Sequence, residues 1–192
     1  MMTLLCVFVL AIVQVPASPK VLLAEAQALL DAPETPARMR RVEAILTELR
    51  RLEDFDPDKS TLDTRFGMHT EMLERYRTAG DLTRLRPHAE WLVALEHRAH
   101  AFQEPGPVGS LDADKGSPRP LDVAYLRAIR KRHGFAFLAA RIDVARAALA
   151  GGDRAKAIWW LETGERCLTD IPGAVNALKA ERDRIRKMKV PD

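Results

Sequence analysis

The sequence predicts an all-α protein of antiparallel helical hairpins stacked side by side, closed by a C-terminal capping helix. Ala, Leu, Arg and Glu dominate its 192 residues, whereas aromatic residues make up 6% and β-branched ones are scarce, a balance that favours helix over strand. Apolar residues recur at i, i+3 and i+4 through most of the chain. The dipeptide Gly-Asp interrupts this pattern at 80–81 and again at 152–153, 72 residues apart.

Seven helices follow in order. Val21–Leu30 forms the first and "DAPETP" stops it. Residues 37–53 form the second, with Met39, Val42, Ile45, Leu46, Leu49 and Leu52 on one stripe. "DFDPDKS" is a turn, after which Ser60 or Thr61 can cap a third helix that runs to Ala79. "AGD" ends it, and the fourth runs from Leu82 to Phe102, with Pro87 near its start. Residues 121–150 read as one helix with Gly134 as the point where it can bend, then come 154–170 and, beyond Pro172-Gly173, residues 174–188. The short turns pair one with two, three with four and five with six, which makes a short α-solenoid.

Four prolines and three glycines within residues 104–120, "EPGPVGSLDADKGSPRP", hold neither helix nor central strand. This linker divides the chain into modules 18–103 and 121–192. Ahead of them, residues 1–17 carry no charged side chain. Leu4–Val13 has the length of a signal-peptide core, and Val15 and Ala17 occupy the −3 and −1 positions of a cleavage site before Ser18. The expectation is export, periplasmic or secreted, with no transmembrane segment in the mature chain. The alternative is a cytoplasmic protein with an apolar N-terminal helix. Cleavage removes Cys6 and leaves Cys167 alone, so no internal disulfide forms. Thirty cations against 27 anions give a mixed surface rather than a segregated basic one.

Residues 138–168 resemble a tetratricopeptide repeat. Ala145 is small where the first helix meets the second, Gly152-Asp153 stands at the turn, Ala157 at the close approach and Gly164 at the later small position. Arg141 and Ala148 replace the family's bulky residues, and the closing proline comes late, at Pro172. Residues 66–98 are a degraded copy: Tyr76 and Gly80-Asp81 fit, but Leu73, Leu85 and Leu92 are large where small residues belong. The resemblance implies a scaffold that binds a peptide or protein, with Thr70, Glu74, Arg77, Ile142 and Arg146 turned into its groove.

Adjacent Trp159 and Trp160 point about 100° apart on a helix. Trp160 shares the apolar stripe of Ala157, Leu161, Gly164, Leu168 and Ile171, while Trp159 falls on the polar arc with Lys156, Glu162, Thr163 and Arg166. Either the last helix or the linker covers Trp159, or Trp159 and Arg166 form a partner contact. His97 and His100, with Glu90 two turns back, lack a third close ligand, so no metal and no cofactor is expected. "DADKG" misplaces its glycine for a calcium loop. The basic runs 127–133 and 181–189 read as solvated helix faces, with Val175, Leu178, Ile185 and Met188 packing the last helix. Neither run carries a recognition motif, which disfavours nucleic acid. No phosphate loop, nucleophile elbow or catalytic pair is present, and Cys167 reads as a small buried hydrophobe. The expected function is non-catalytic binding of a peptide or protein. The alternatives are an assembly subunit packing through Trp159, on a second copy or in a larger envelope complex, and an anion-binding module.

Overall fold

The computed structural model describes residues 18–52, 59–101 and 123–188, and every element among them is helical. These are α1 (Pro19–Asp31), α2 (Pro36–Leu52), α3 (Lys59–Ala79), α4 (Leu82–Ala101), α5 (Val123–Arg132), α6 (Gly134–Ala150), α7 (Arg154–Cys167) and α8 (Ala174–Lys187). Residues 1–17, most of the "DFDPDKS" turn, and the 104–120 linker with its "DADKG" lie outside the described residues. Among the described residues no helix is long and apolar enough to cross a membrane.

Two compact units divide the chain, residues 1–50 and 51–192. This differs from the split expected at the linker: α3 and α4 belong with α6–α8, because α4 packs extensively along α6.

In the first unit, Ser18 caps α1 by accepting from the Val21 amide, and Pro19 opens the helix where a missing N–H costs nothing. Thr35 and Pro36 repeat the arrangement at α2, with Thr35 Oγ1 accepting from the Arg38 amide. The stripe Met39, Val42, Ile45, Leu46 and Leu49 is buried as expected. Arg41 of α2 grips Glu25 of α1 through two bonds of 2.7 and 3.0 Å.

In the second unit the helices pack in succession: α3 on α4, α4 on α6, α6 on α7, and α7 on α8. The two Gly-Asp breaks are the same piece of backbone. At each, glycine takes a left-handed conformation, with φ of 69° at Gly80 and 81° at Gly152. The following aspartate amide bonds back to the carbonyl of Tyr76 or Ala148, and the glycine amide to that of Arg77 or Leu149. Asp81 then caps α4 through the Arg84 amide at 3.0 Å, and Asp153 caps α7 through Lys156 at 2.9 Å. One dipeptide thus closes one helix and opens the next.

Elsewhere the elements differ from the expectation. Ser60 and Thr61 lie inside α3, whose described part already begins at Lys59, so neither caps it. The helix expected over 121–150 is two. His133 leaves helical backbone geometry, with φ −117° and ψ 25°, and α6 restarts at Gly134. A residue of low helix propensity, following a run of cations at the end of α5, makes this a break rather than a bend. Helix α7 stops at Cys167, and the Leu168 amide folds back onto the Gly164 carbonyl. Met188 is exposed at the end of α8 instead of packing with Leu178 and Ile185.

Candidate functional site

A pocket of about 240 Å³ opens between α3, α4 and α6. Its floor is apolar, from Leu73, Leu92, Ala136 and Ala139; Thr70, Glu74 and Arg77 form a polar side, and Phe135 stands at its edge. Register places Thr70, Glu74 and Arg77 together because i, i+4 and i+7 lie on one face of α3. Phe135 is 72% exposed, the most open large hydrophobic residue described. It sits there because α6 begins at Gly134, just after the chain turns at His133.

The polar side is held from below. Arg77 reaches across to Asp143 of α6 at 2.5 Å and along its own helix to Glu74 at 2.5 Å. Asp143 is buried, and its bond to the guanidinium is the main cause that raises the Arg77 pKa above the ordinary arginine value. Arg77 is therefore committed, and the outer acceptor is Glu74, whose side chain is 64% exposed. Glu74 is thus the carboxylate at the pocket, while the guanidinium beside it is shared with the buried Asp143.

Of the other residues expected in a groove, Ile142 is half-buried and does not line the pocket. Arg146 turns to α8, where Glu181 accepts its Nε at 2.9 Å. Glu181 also takes Arg184, whose hydrogen bond is the largest influence in lowering its pKa to about 2. An acidic residue two helices further on, Glu181 of α8, draws Arg146 away.

Trp159 is 48% exposed, so α8 does not cover it. Its ring meets Trp160 edge-on at 4.7 Å. Trp160 is only half-buried and flanks the Arg141 guanidinium at 5.8 Å, a correction to its expected place in the core stripe. Arg166 is exposed on the same helix.

Some cations of the basic runs are engaged within the fold. Arg130 is 1% exposed and donates to the Cys167 carbonyl and to Asp170. On α8, Arg182 pairs with Glu165 at 2.6 Å, Arg184 with Glu181 at 2.7 Å and Arg186 with Glu162 at 2.7 Å. Arg184, Arg186 and Lys187 on α8 and Lys131 and Arg132 on α5 are exposed, as expected of solvated faces, whereas the buried Arg130 is a correction to that reading.

Three buried features escaped sequence reasoning. Arg141 and Glu96, both completely buried, form an ion pair of 2.5 Å between α6 and α4. Gly164 makes room for it: a Cβ there would lie 3.2 Å from Arg141 Cδ and 3.1 Å from Leu178 Cδ1. Between α3 and α4, His69 and His88 meet Nδ1 to Nδ1 at 3.0 Å. Trp91 stacks on His69 at 4.1 Å, and burial lowers the His88 pKa to about 4. Last, Glu96, His97 and Cys167 bring a carboxylate oxygen, a ring nitrogen and a sulfur within 4.8 Å of one another. His97 thus belongs with Glu96 and Cys167, not on an open face with Glu90, which pairs with Arg86 at 2.7 Å.

Comparison of the chain with protein-family models, with curated proteins and with solved structures finds no match.

Proposed function

We propose that this protein is a non-catalytic binding module, and that the α3–α4–α6 pocket takes a segment of a peptide or protein. The observation that carries this reading is the conjunction of Phe135 with the apolar floor and the α3 residues Thr70, Glu74 and Arg77. Sites for drug-sized molecules span about 300–1,000 Å³. A space of about 240 Å³ suits instead one large apolar side chain of a partner. The tetratricopeptide-like register of α3 supports the same use. Phe135 supplies a rigid anchor, and Glu74 favours a Lys or Arg beside the inserted residue.

Selection from a random peptide display library on the folded chain tests this. Sequences pairing an apolar residue with a neighbouring cation are expected to enrich, and Phe135→Ser should weaken the selected peptide at least about tenfold. Glu74→Arg should reverse the preference for a cation. Equal enrichment on the Phe135→Ser protein overturns the reading.

Trp159 favours a second reading, in which α7 packs on a second copy or on a larger assembly. Sedimentation separates the two: Trp159→Ala should dissociate an oligomer while leaving peptide binding at the pocket intact.

A further inference from the structure

We propose that Glu96, His97 and Cys167 form a binding site for one divalent transition metal of the zinc type. The donors are drawn from two helices. Glu96 and His97 are consecutive on α4, pointing about 100° apart, and Cys167 closes the gap from the last residue of α7. Sulfur, imidazole nitrogen and carboxylate oxygen together match Zn²⁺ or Co²⁺, whereas Ca²⁺ and Mg²⁺ want oxygen alone. Tetrahedral coordination at ordinary zinc distances separates donors by about 3.3–3.8 Å. Donors already within 4.8 Å reach that spacing by side-chain adjustments of about 1 Å or less.

An independent observation points the same way. Glu96 is completely buried, and both of its bonds from Arg141 end on Oε2, at 2.5 and 3.1 Å. Oε1 is buried without a hydrogen-bond partner among the described residues. An orphaned carboxylate oxygen is costly in a protein interior, and a cation satisfies it. Arg141 then plays the part usual for a group behind a metal ligand, fixing the carboxylate's orientation. Cys167 is buried and its pKa is raised, first by burial and then by the Glu96 charge. A divalent cation reverses that balance: the S–H bond breaks, a metal–sulfur bond forms and the proton leaves to solvent. His97 is half-buried and completes a set of three protein donors, which leaves the fourth tetrahedral position to an exchangeable ligand.

Titration of the full, tag-free chain with Co²⁺ under reducing conditions tests the site. One Co²⁺ per chain is expected, with an intense thiolate-to-cobalt charge-transfer band in the near ultraviolet and release of one proton per metal in weak buffer. The band should persist in Cys6→Ser, which assigns it to Cys167, and should vanish on Zn²⁺ addition. Cys167→Ala should abolish it, and His97→Gln should weaken binding at least about tenfold, with helix content checked by circular dichroism. Absence of the band in the folded unmutated chain, its loss in Cys6→Ser, or unchanged affinity in His97→Gln overturns the proposal.

Discussion

The α3–α4 and α6–α7 hairpins share a turn and little else. Both close on Gly-Asp with matching bonds and caps. Between those turns and the far ends, α3–α4 buries the large residues Met72, Leu73, Leu85, Trp91 and Leu92, and with them the His69–His88 contact. The α6–α7 hairpin buries Ala140, Ala145, Ala148, Ala157 and Gly164, and uses the space for one whole arginine. A locally encoded turn therefore fixes connection and direction, while side-chain volume decides what the interface can contain. At α3–α4 rings meet rings, and Arg65 lies over Trp91; at α6–α7 small residues leave room for a guanidinium that pairs with Glu96.

The sharpest way to break the α6–α7 region is Arg141→Ala, which leaves Glu96 buried and uncompensated. A loss of about 3–5 kcal/mol is expected in urea unfolding. Replacing both partners, as Arg141→Met with Glu96→Leu, should recover most of it, because no charge is then stranded.

The α3–α4 region should instead break with acid. The His88 pKa is depressed from 6.5 to about 4, so the unfolded chain binds this proton more tightly than the folded one. Its stability is intact above about pH 6.5 and is lost progressively down to about pH 4, by about 3 kcal/mol in all. His88→Gln should flatten that slope in denaturant midpoints taken across the window. Glu181 acts lower on the scale: with its pKa lowered from 4.5 to about 2, its contribution is present above 4.5 and lost towards 2.

The shared turn gives the smallest effect and the most direct test of equivalence. Asp81→Ala and Asp153→Ala should each cost about 1 kcal/mol, measured as matching shifts in thermal midpoint. Unequal costs would show that the surroundings reach into the turn.

The helices were legible in the sequence wherever a local device marks them. Gly80-Asp81, Gly152-Asp153 and Pro172-Gly173 each ended or began a helix close to the expected place. The break at His133 was not, since glycine inside a helical pattern signals either a weak point or nothing, and with it Phe135 was missed. Charged residues were the larger loss. Arg130, Arg141 and Glu96 sit in amphipathic runs where a charge reads as solvent-facing, and their partners lie 37 to 45 residues away. Thr70, Glu74 and Arg77 come together at one pocket because they share a face of one helix, a local property. Arg146 was misplaced because its direction is set by Glu181, 35 residues on.

Arg130 carries a consequence for the order of assembly. It plugs the carbonyl-rich end of α7 with a buried cation, the charge that end of a helix attracts. That contact spans 37 residues and exists only once both helices are in place. Loop-closure entropy for it is lost before the bond returns anything. Helix α5 should therefore dock late in folding, as a latch on an already formed α6–α7 pair.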